Sequence, residues 1–446
     1  MGNKSKIQNP KSKIQNPQTI HRHFEKRCGW SPSYLYGLQK YGIKFGLRNI
    51  TKLLSLLGNP HKNLRAVHIG GTNGKGSTAA FIHSVLLKAG YRVGLYTSPH
   101  LVRFTERIQI NQREIPEKRV VELIGIVRRH AEMLESITFF EFTTAMAFLY
   151  FADESVDIAV LEVGMGGRLD ATNVVAPLLS IITNIALDHQ QYLGDTISKI
   201  AFEKAGIIKK RNTLVTAATQ PNVLHLFKER CKGLRSDFYQ VGKDFIGVDM
   251  GFQMMNYFGR SLSLLDAEIG LVGPHQVTNA TTALGALELL TEKGYQINET
   301  AVREGLRETR WPGRLEVMGK SPLVILDGAH NPAAMRTLKG AIERDFNFNR
   351  MILVLGIMAD KDIRRIINEI VPLADNVILT SPHMERSASP ALLKEYCDQW
   401  HKDADCVEDV NDAVASALTQ ARKEDLVLIT GSLFTVGEAR AFLNKD

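Results

Sequence analysis

Cysteine is scarce in this sequence: four residues in 446, Cys28, Cys231, Cys397 and Cys406, with no two at a metal-ligand or redox spacing. That excludes a disulfide scaffold and a cysteine-based zinc module, and it reads as reduced thiols in a cytoplasmic protein. Long apolar runs are missing too. No stretch approaches the roughly 18 to 20 residues that cross a bilayer. The N-terminus has no apolar signal core, so neither a membrane anchor nor a secretory leader is expected. A basic body is the third absence. The formal charge is +8, but residues 1–27 hold seven lysines and arginines against Glu25 alone, which leaves only +2 for everything after them. A near-neutral body is a poor polyanion binder. It argues against nucleic acid as a partner and leaves local patches for small anionic substrates.

What is present begins with the tail. "KSKIQNP" occurs at 4–10 and again at 11–17. A proline in each copy breaks any continuous helix, and there is little apolar surface to bury. The segment 1–27 reads as a disordered extension. A chain begun near residue 28 is expected to keep its melting temperature and turnover; a loss of several degrees would show that the tail packs on the body.

From about residue 64, apolar runs alternate with helical periodicity, the pattern of parallel β-α-β units. "LRAVHI" (64–69), "RVGLYTS" (92–98), "DIAVLEVG" (157–164) and "LLSIITNIAL" (178–187) read as strands, and "STAAFIHSVLLKAG" (77–90) as a helix. The stretch 211–275 looks less regular. After Trp311-Pro312-Gly313 a second series follows: "LVILDG" (323–328), "MILVLG" (351–356), "NVILTS" (376–381) and "LVLITG" (426–431). The expectation is an α/β protein. A mainly parallel, P-loop-type ATPase domain over 28–312 precedes a smaller Rossmann-like domain over 313–446, with a cleft between them.

Ligands of parallel sheets bind beyond the carboxyl ends of strands, and the polar residues gather there. "GGTNGKGS" (70–77) lies between a strand and a helix, where backbone N–H groups favour phosphate. It departs from G-x-x-x-x-G-K-[ST]: Ile69 stands where the first glycine belongs, and Gly76 delays the hydroxyl to Ser77. A glycine-rich turn is the bland alternative. Glu162 ends a strand, as a hard-metal ligand or as an exposed acid. Ser98 ends a strand before a proline and, taken alone, reads as a turn. Asp188 and His189 end "NIALDH", and a lone histidine is more often structural. Lys204, in "SKIAFEKAGIIK", reads from its spacing as a surface lysine. Asp327 and His330 follow a strand in "LDGAHNP", ahead of a helix that Pro332 can open. Arg314 stands at the linker, within reach of a cleft phosphate.

Together these residues resemble the folylpolyglutamate synthase/dihydrofolate synthase family of the Mur ligase superfamily. The likeness covers about nine-tenths of the chain, from Tyr41 onward, with eleven short motifs in order: "GIKFGL", "GTNGKGS", "TSPHLVRFTERI", "TFFEFTTA", "LEVGMGGRLDATN", "LDHQQYLG", "EKAGI", "GPHQVTNA", "WPGR", "DGAHNP" and "TGSLFTVGE". The late serine is that family's own pattern, and Gly70 stands where it more often has alanine. The resemblance implies that Gly71, Thr72, Asn73, Gly74, Lys75, Gly76 and Ser77 hold ATP phosphates. It implies ATP contacts from Asn279, Arg314 and Asp327, with His330 close by. Ser77, Ser98, Glu162 and His189 would ligate Mg²⁺ at two sites, and Lys204 would be carbamylated to N6-carboxylysine. Ile43, Lys44, Phe45 and Gly46, with Thr138, Phe139, Phe140 and Glu141 and with Leu169, Asp170 and Ala171, correspond to pteroate-binding surfaces. Lys75, Glu162, His189, Lys204, Asp327 and His330 are the expected catalytic group.

The implied reaction joins L-glutamate to a folate or dihydropteroate carboxylate with ATP, through an acyl phosphate. The implied partners are small molecules, and the chain is expected to act as a monomer. Two alternatives stay open: another Mur-type amino-acid ligase, and a nucleotide switch that needs no acceptor.

Overall fold

The computed structural model describes residues 32–42, 44–400 and 404–444. The tail 1–27, Cys28 and Ile43 lie outside the described residues. Strands β1 (Ala66–Gly70), β2 (Val93–Tyr96), β3 (Ile108–Ile110), β4 (Arg113–Glu114), β5 (Ile158–Glu162), β6 (Leu179–Ile182), β7 (Thr213–Thr216) and β8 (Asp237–Gln240) form one sheet, in the order β4-β3-β2-β5-β1-β6-β7-β8. All are parallel except the edge hairpin β3–β4. Every residue of the inner strands β1 and β5 is buried. With helices on both faces, nothing asks these strands to alternate, so they read as unbroken apolar runs.

One face is covered by helices Lys75–Lys88, Pro274–Glu292 and Glu299–Glu308, where Phe81, Val85, Leu284 and Leu306 pack on Val67, Ile69 and Val160. The other carries helices Glu117–Ala131 and Phe139–Asp153, with Leu123, Phe142 and Met146 against Tyr96 and Leu161. Helix Phe139–Asp153 starts in a capping box. Thr138 Oγ1 accepts from the Glu141 amide at 3.2 Å, and the Glu141 carboxylate accepts from the Thr138 amide at 2.9 Å.

The stretch 211–275 is more ordered than its sequence suggests. β7, helix Pro221–Leu234 and β8 complete the large sheet. Strands β9 (Ile246–Gly251), β10 (Met254–Phe258) and β11 (Ser263–Glu268) then form an antiparallel meander. The meander buries only Met255, Tyr257, Leu264 and Ala267, and no residue of β9, so no apolar run announces it; a partner 31 residues from Tyr257 anchors it: buried Glu288 accepts from Tyr257 Oη at 2.5 Å and from the Ser261 amide at 2.6 Å.

The second sheet contains β12 (Glu316–Lys320), β13 (Leu323–Leu326), β14 (Met351–Leu355), β15 (Asn376–Leu379), β16 (Ala404–Cys406) and β17 (Leu426–Thr430), in the order β12-β13-β17-β14-β15-β16. The four apolar runs are four of its five parallel strands; edge strand β16 is parallel too, and edge strand β12 is antiparallel. The edge strands β12 and β16 are additions that no apolar run announces. Among the described residues no helix is long and apolar enough to cross a membrane.

Candidate active site

The carboxyl ends of both sheets open on a shared cleft. Helix Lys75–Lys88 starts two residues earlier than its apolar pattern, so Lys75, Gly76 and Ser77 form its first turn. Their amides therefore face whatever lies beyond β1. Each loop glycine has a distinct reason. Gly71 has φ +140°, and a Cβ there would stand 1.9 Å from Thr183 Oγ1. Gly74 has φ +83°, and its Cβ would stand 2.3 Å from Asn279 Oδ1. A Cβ on Gly76 would stand 2.8 Å from the indole nitrogen of Trp311. The displaced serine thus has a tertiary cause: the linker's tryptophan occupies the space that a side chain at 76 needs.

A cavity of about 450 Å³ holds the loop residues from Gly71 to Ser77 together with Ser98, Glu162, His189, Lys204, Asn279, Arg314, Asp327 and His330. Lys75 Nζ donates to Thr72 O at 3.1 Å and stands 4.0 Å from Glu162, a charge contact rather than a hydrogen bond. Glu162 is buried and accepts from the Ser98 amide at 3.2 Å. Burial pushes its carboxyl up, against the pull of Lys75. His189 sits at φ +49°, and burial lowers its imidazole to about 4 despite neighbouring Asp188, so it is neutral. Asp327 is held by the amides of Leu315 and Ala329, both at 2.9 Å. His330 Nδ1 faces Gly328 O at 2.8 Å, and its Nε2 is 3.4 Å from Asp188.

Lys204 is not the surface lysine its spacing suggests. It is 5% exposed, and its Nζ donates to Gly71 O at 2.8 Å. Burial, aided by Lys75, lowers its ammonium to about 7. The helix Ile197–Lys204 ends against the loop instead of in water, which no local periodicity reports.

A second cavity of about 310 Å³ adjoins the first. Lys44, Phe45, Gly46, Thr138, Phe140, Glu141, Leu169, Asp170 and Ala171 line it, joined by Tyr192, Lys361, Arg386 and Phe434. Phe140 stacks on Tyr96 with centroids 6.0 Å apart, and a Cβ at Gly164 would meet its ring at 2.5 Å. Phe139 does not line this cavity. As the first residue of its helix it turns away, stacks on Tyr36 and sits under the Arg107 guanidinium. Asp170 is buried and accepts from the Met165 and Thr172 amides at 2.9 and 3.0 Å; burial raises its carboxyl.

Sequence reasoning missed Lys361 and Arg386. Both follow strands of the second sheet, β14 and β15, so the strand-end rule reaches them. Lys361 Nζ donates to Asp188 at 2.6 Å, and Arg386 lies over the Phe434 ring. Trp311 was seen only as a boundary.

A phosphate loop roofed by a second α/β unit, with an acceptor-sized cavity beside it, is the arrangement of a two-domain ATP-dependent ligase. The comparisons with known proteins agree. Residues 69–287 match the Mur ligase middle domain and residues 313–433 the Mur ligase, glutamate ligase domain. The chain is 36% identical over 420 residues to dihydrofolate synthase/folylpolyglutamate synthase of Bacillus subtilis, covering 92% of this chain and 97% of the relative. Escherichia coli FolC in complex with DHPP and ADP superposes with a TM-score of 0.85 at 31% identity, covering 92% of this chain and 97% of that one. A bifunctional folylpolyglutamate synthase/dihydrofolate synthase with Mn, AMPPNP and L-glutamate bound gives a TM-score of 0.83 at 31% identity, with the same coverage. The chain belongs to the folylpolyglutamate synthase/dihydrofolate synthase family.

Proposed function

We propose that the chain is an ATP-dependent ligase joining L-glutamate to a folate or dihydropteroate carboxylate. The observation that carries this reading is that the two cavities share a wall: Ser98, Pro99, Gly164, Met165, His189, His330 and Leu433 line both. A phosphate donor in one and an acid in the other would meet there. Phe45, Phe140 and Leu169 give the acceptor cavity an apolar, aromatic side that suits a pteridine ring rather than a cell-wall sugar. Lys361 and Arg386 supply the cationic side that glutamate carboxylates need.

A carboxylate is a poor electrophile. Its oxygen attacks the γ-phosphorus of ATP, ADP leaves, and an acyl phosphate results. The glutamate amine then attacks the acyl carbon and phosphate departs. Lys75 and Arg314 neutralise charge on the transferring phosphoryl group. Asn279 and Asp327 contact ATP, and the roof of the cleft excludes water from the acyl phosphate. Two hydroxyls, a carboxylate and a neutral imidazole on one cavity wall fit a hard divalent cation. Ser77, Ser98, Glu162 and His189 would hold Mg²⁺ at two sites, with carbamylated Lys204 nearby, where the metal neutralises phosphate charge. The working division is an ATPase domain to residue 312 and a glutamate-ligase domain from 313, in a cytoplasmic monomer.

The test is incorporation of labelled glutamate with ATP, with dihydropteroate and tetrahydrofolate offered separately. ADP is expected only when acid and glutamate are both present, in step with incorporation. Equal ADP production without an acceptor would overturn the reading in favour of a switch.

A further inference from the structure

A polar cluster joins the two sheets beside the cavities. Asn331 lines neither cavity. It caps helix Pro332–Asp345, its Oδ1 accepting from the Ala334 amide at 2.9 Å. Its amide nitrogen points out of its own unit. It donates to Asn73 Oδ1 at 2.9 Å and to Asp188 Oδ2 at 3.2 Å. Asn73 returns a bond to Asn331 Oδ1 at 3.3 Å. Asp188 is fixed in turn by Lys361, again from the second unit.

Asn73 belongs to the phosphate loop itself. Its amide donates to Asn184 Oδ1 at 2.9 Å, and its carbonyl accepts from Thr183 Oγ1 at 2.6 Å. The loop's backbone is thus held from below by its own sheet, and its side chain is held only from across the cleft. A reciprocal amide pair forms only when both units stand within hydrogen-bond reach, so it is made or lost as a unit. Asn331 is 2% exposed with the pair made, so a gap too narrow to admit water leaves its amide short of a partner, and such intermediate openings are disfavoured.

We infer that Asn331 is a positioning residue that couples closure of the second unit to the shape of the phosphate loop, acting through Asn73. ATP then binds the open protein without Asn331, but the loop takes its reactive shape only after closure. The device links the γ-phosphate's placement to the presence of the unit that lines the acceptor cavity.

The test uses Asn331→Ser, which keeps a capping oxygen but loses the amide nitrogen that reaches Asn73 and Asp188, and Asn73→Ala, which breaks the same pair from the loop side. Asn331→Ser is expected to bind ATP with unchanged Kd. It should be more open than the wild type in small-angle scattering, equally with and without a non-hydrolysable ATP analogue, and turnover should fall about tenfold or more. The double variant should be no worse than the poorer single one. Wild-type compaction and turnover in Asn331→Ser would overturn the inference. So would additive losses, or an ATP Kd that rises as much as turnover falls, which would make Asn331 a nucleotide contact. Should Asn331→Ser fail to fold, Asn73→Ala carries the scattering readout, and wild-type compaction in it would equally overturn the inference. The turnover arm rests on the ligase reading. The scattering and binding arms need no acceptor, so they fail or stand apart from it.

Discussion

Lys204→Ala is expected to lose most of its turnover, on the order of 10² to 10³-fold, while keeping its fold. The side chain is buried beside the phosphate loop, and burial brings its ammonium down to about 7. A neutral amine is what CO₂ needs in order to add, and the resulting carbamate keeps one N–H that can still donate to Gly71 O. Activity should therefore rise with added bicarbonate and as pH climbs through about 7. The stability linkage has the same sign. An unfolded lysine titrates near 10.4, so between about 7 and 10 the unfolded chain binds more protons and the folded state gains stability with rising pH. Below about 7 the buried charge exerts its full cost. Loss of the bond to Gly71 O could also disturb the loop, and two variants separate the causes. Acetate should partly rescue Lys204→Ala if a carboxylate is missing, and Lys204→Arg should stay inactive although it keeps a donor. Wild-type turnover in Lys204→Ala would end the carbamate reading, as would unmodified mass at Lys204 in active protein.

Gly71→Ala should be as severe, for a steric reason. The position has φ +140°, and the added Cβ would collide with Thr183 Oγ1 and press on the Thr183 amide at 3.0 Å. Both belong to Thr183 at the end of β6, the strand paired with β1, so the loop has no room to retreat. We expect loss of ATP binding and at least about 3 kcal/mol of stability, the sum of a strained dihedral and an overpacked core contact. Gly70→Ala is the control next door. Its φ is ordinary, and the new Cβ would press only on the end of Ile207, at 3.1 Å, with Val163 and Ile181 at ordinary van der Waals distance. That flexible methyl can give way, so stability and ATP affinity should stay near wild type. Calorimetry and nucleotide titration of the pair decide it. Equal behaviour of the two variants would show that Gly71 is no tighter than Gly70.

Much of the site was legible because strand ends and glycines are local features. The run before Gly71, the carboxylate at Glu162, the "LDH" after β6 and the "DGAHNP" after β13 could each be placed at one edge of a parallel sheet from periodicity alone. Lys361 and Arg386 obey the same rule and were missed, because lone cations after a strand look like surface charge. Phe139 was grouped with Phe140 through adjacency in the chain, but consecutive helical residues point about 100° apart, and only Phe140 reaches the cavity.

By itself, the sequence determined the two mainly parallel sheets, the glycine-rich strand-to-helix loop and, through the order of its motifs, the family. Unbroken aliphatic runs can be satisfied only by strands covered on both faces, and a glycine-rich strand-to-helix turn has few other uses. Only the tertiary structure decided that Lys204 is buried under Gly71, that Trp311 forbids a side chain at 76, and that Asn331 holds the loop from the other sheet. Those facts depend on contacts between residues from 133 to 258 positions apart, or on the approach of a linker to a helix start. Burial and partnership are properties of the packed chain, and residue spacing carries no record of them.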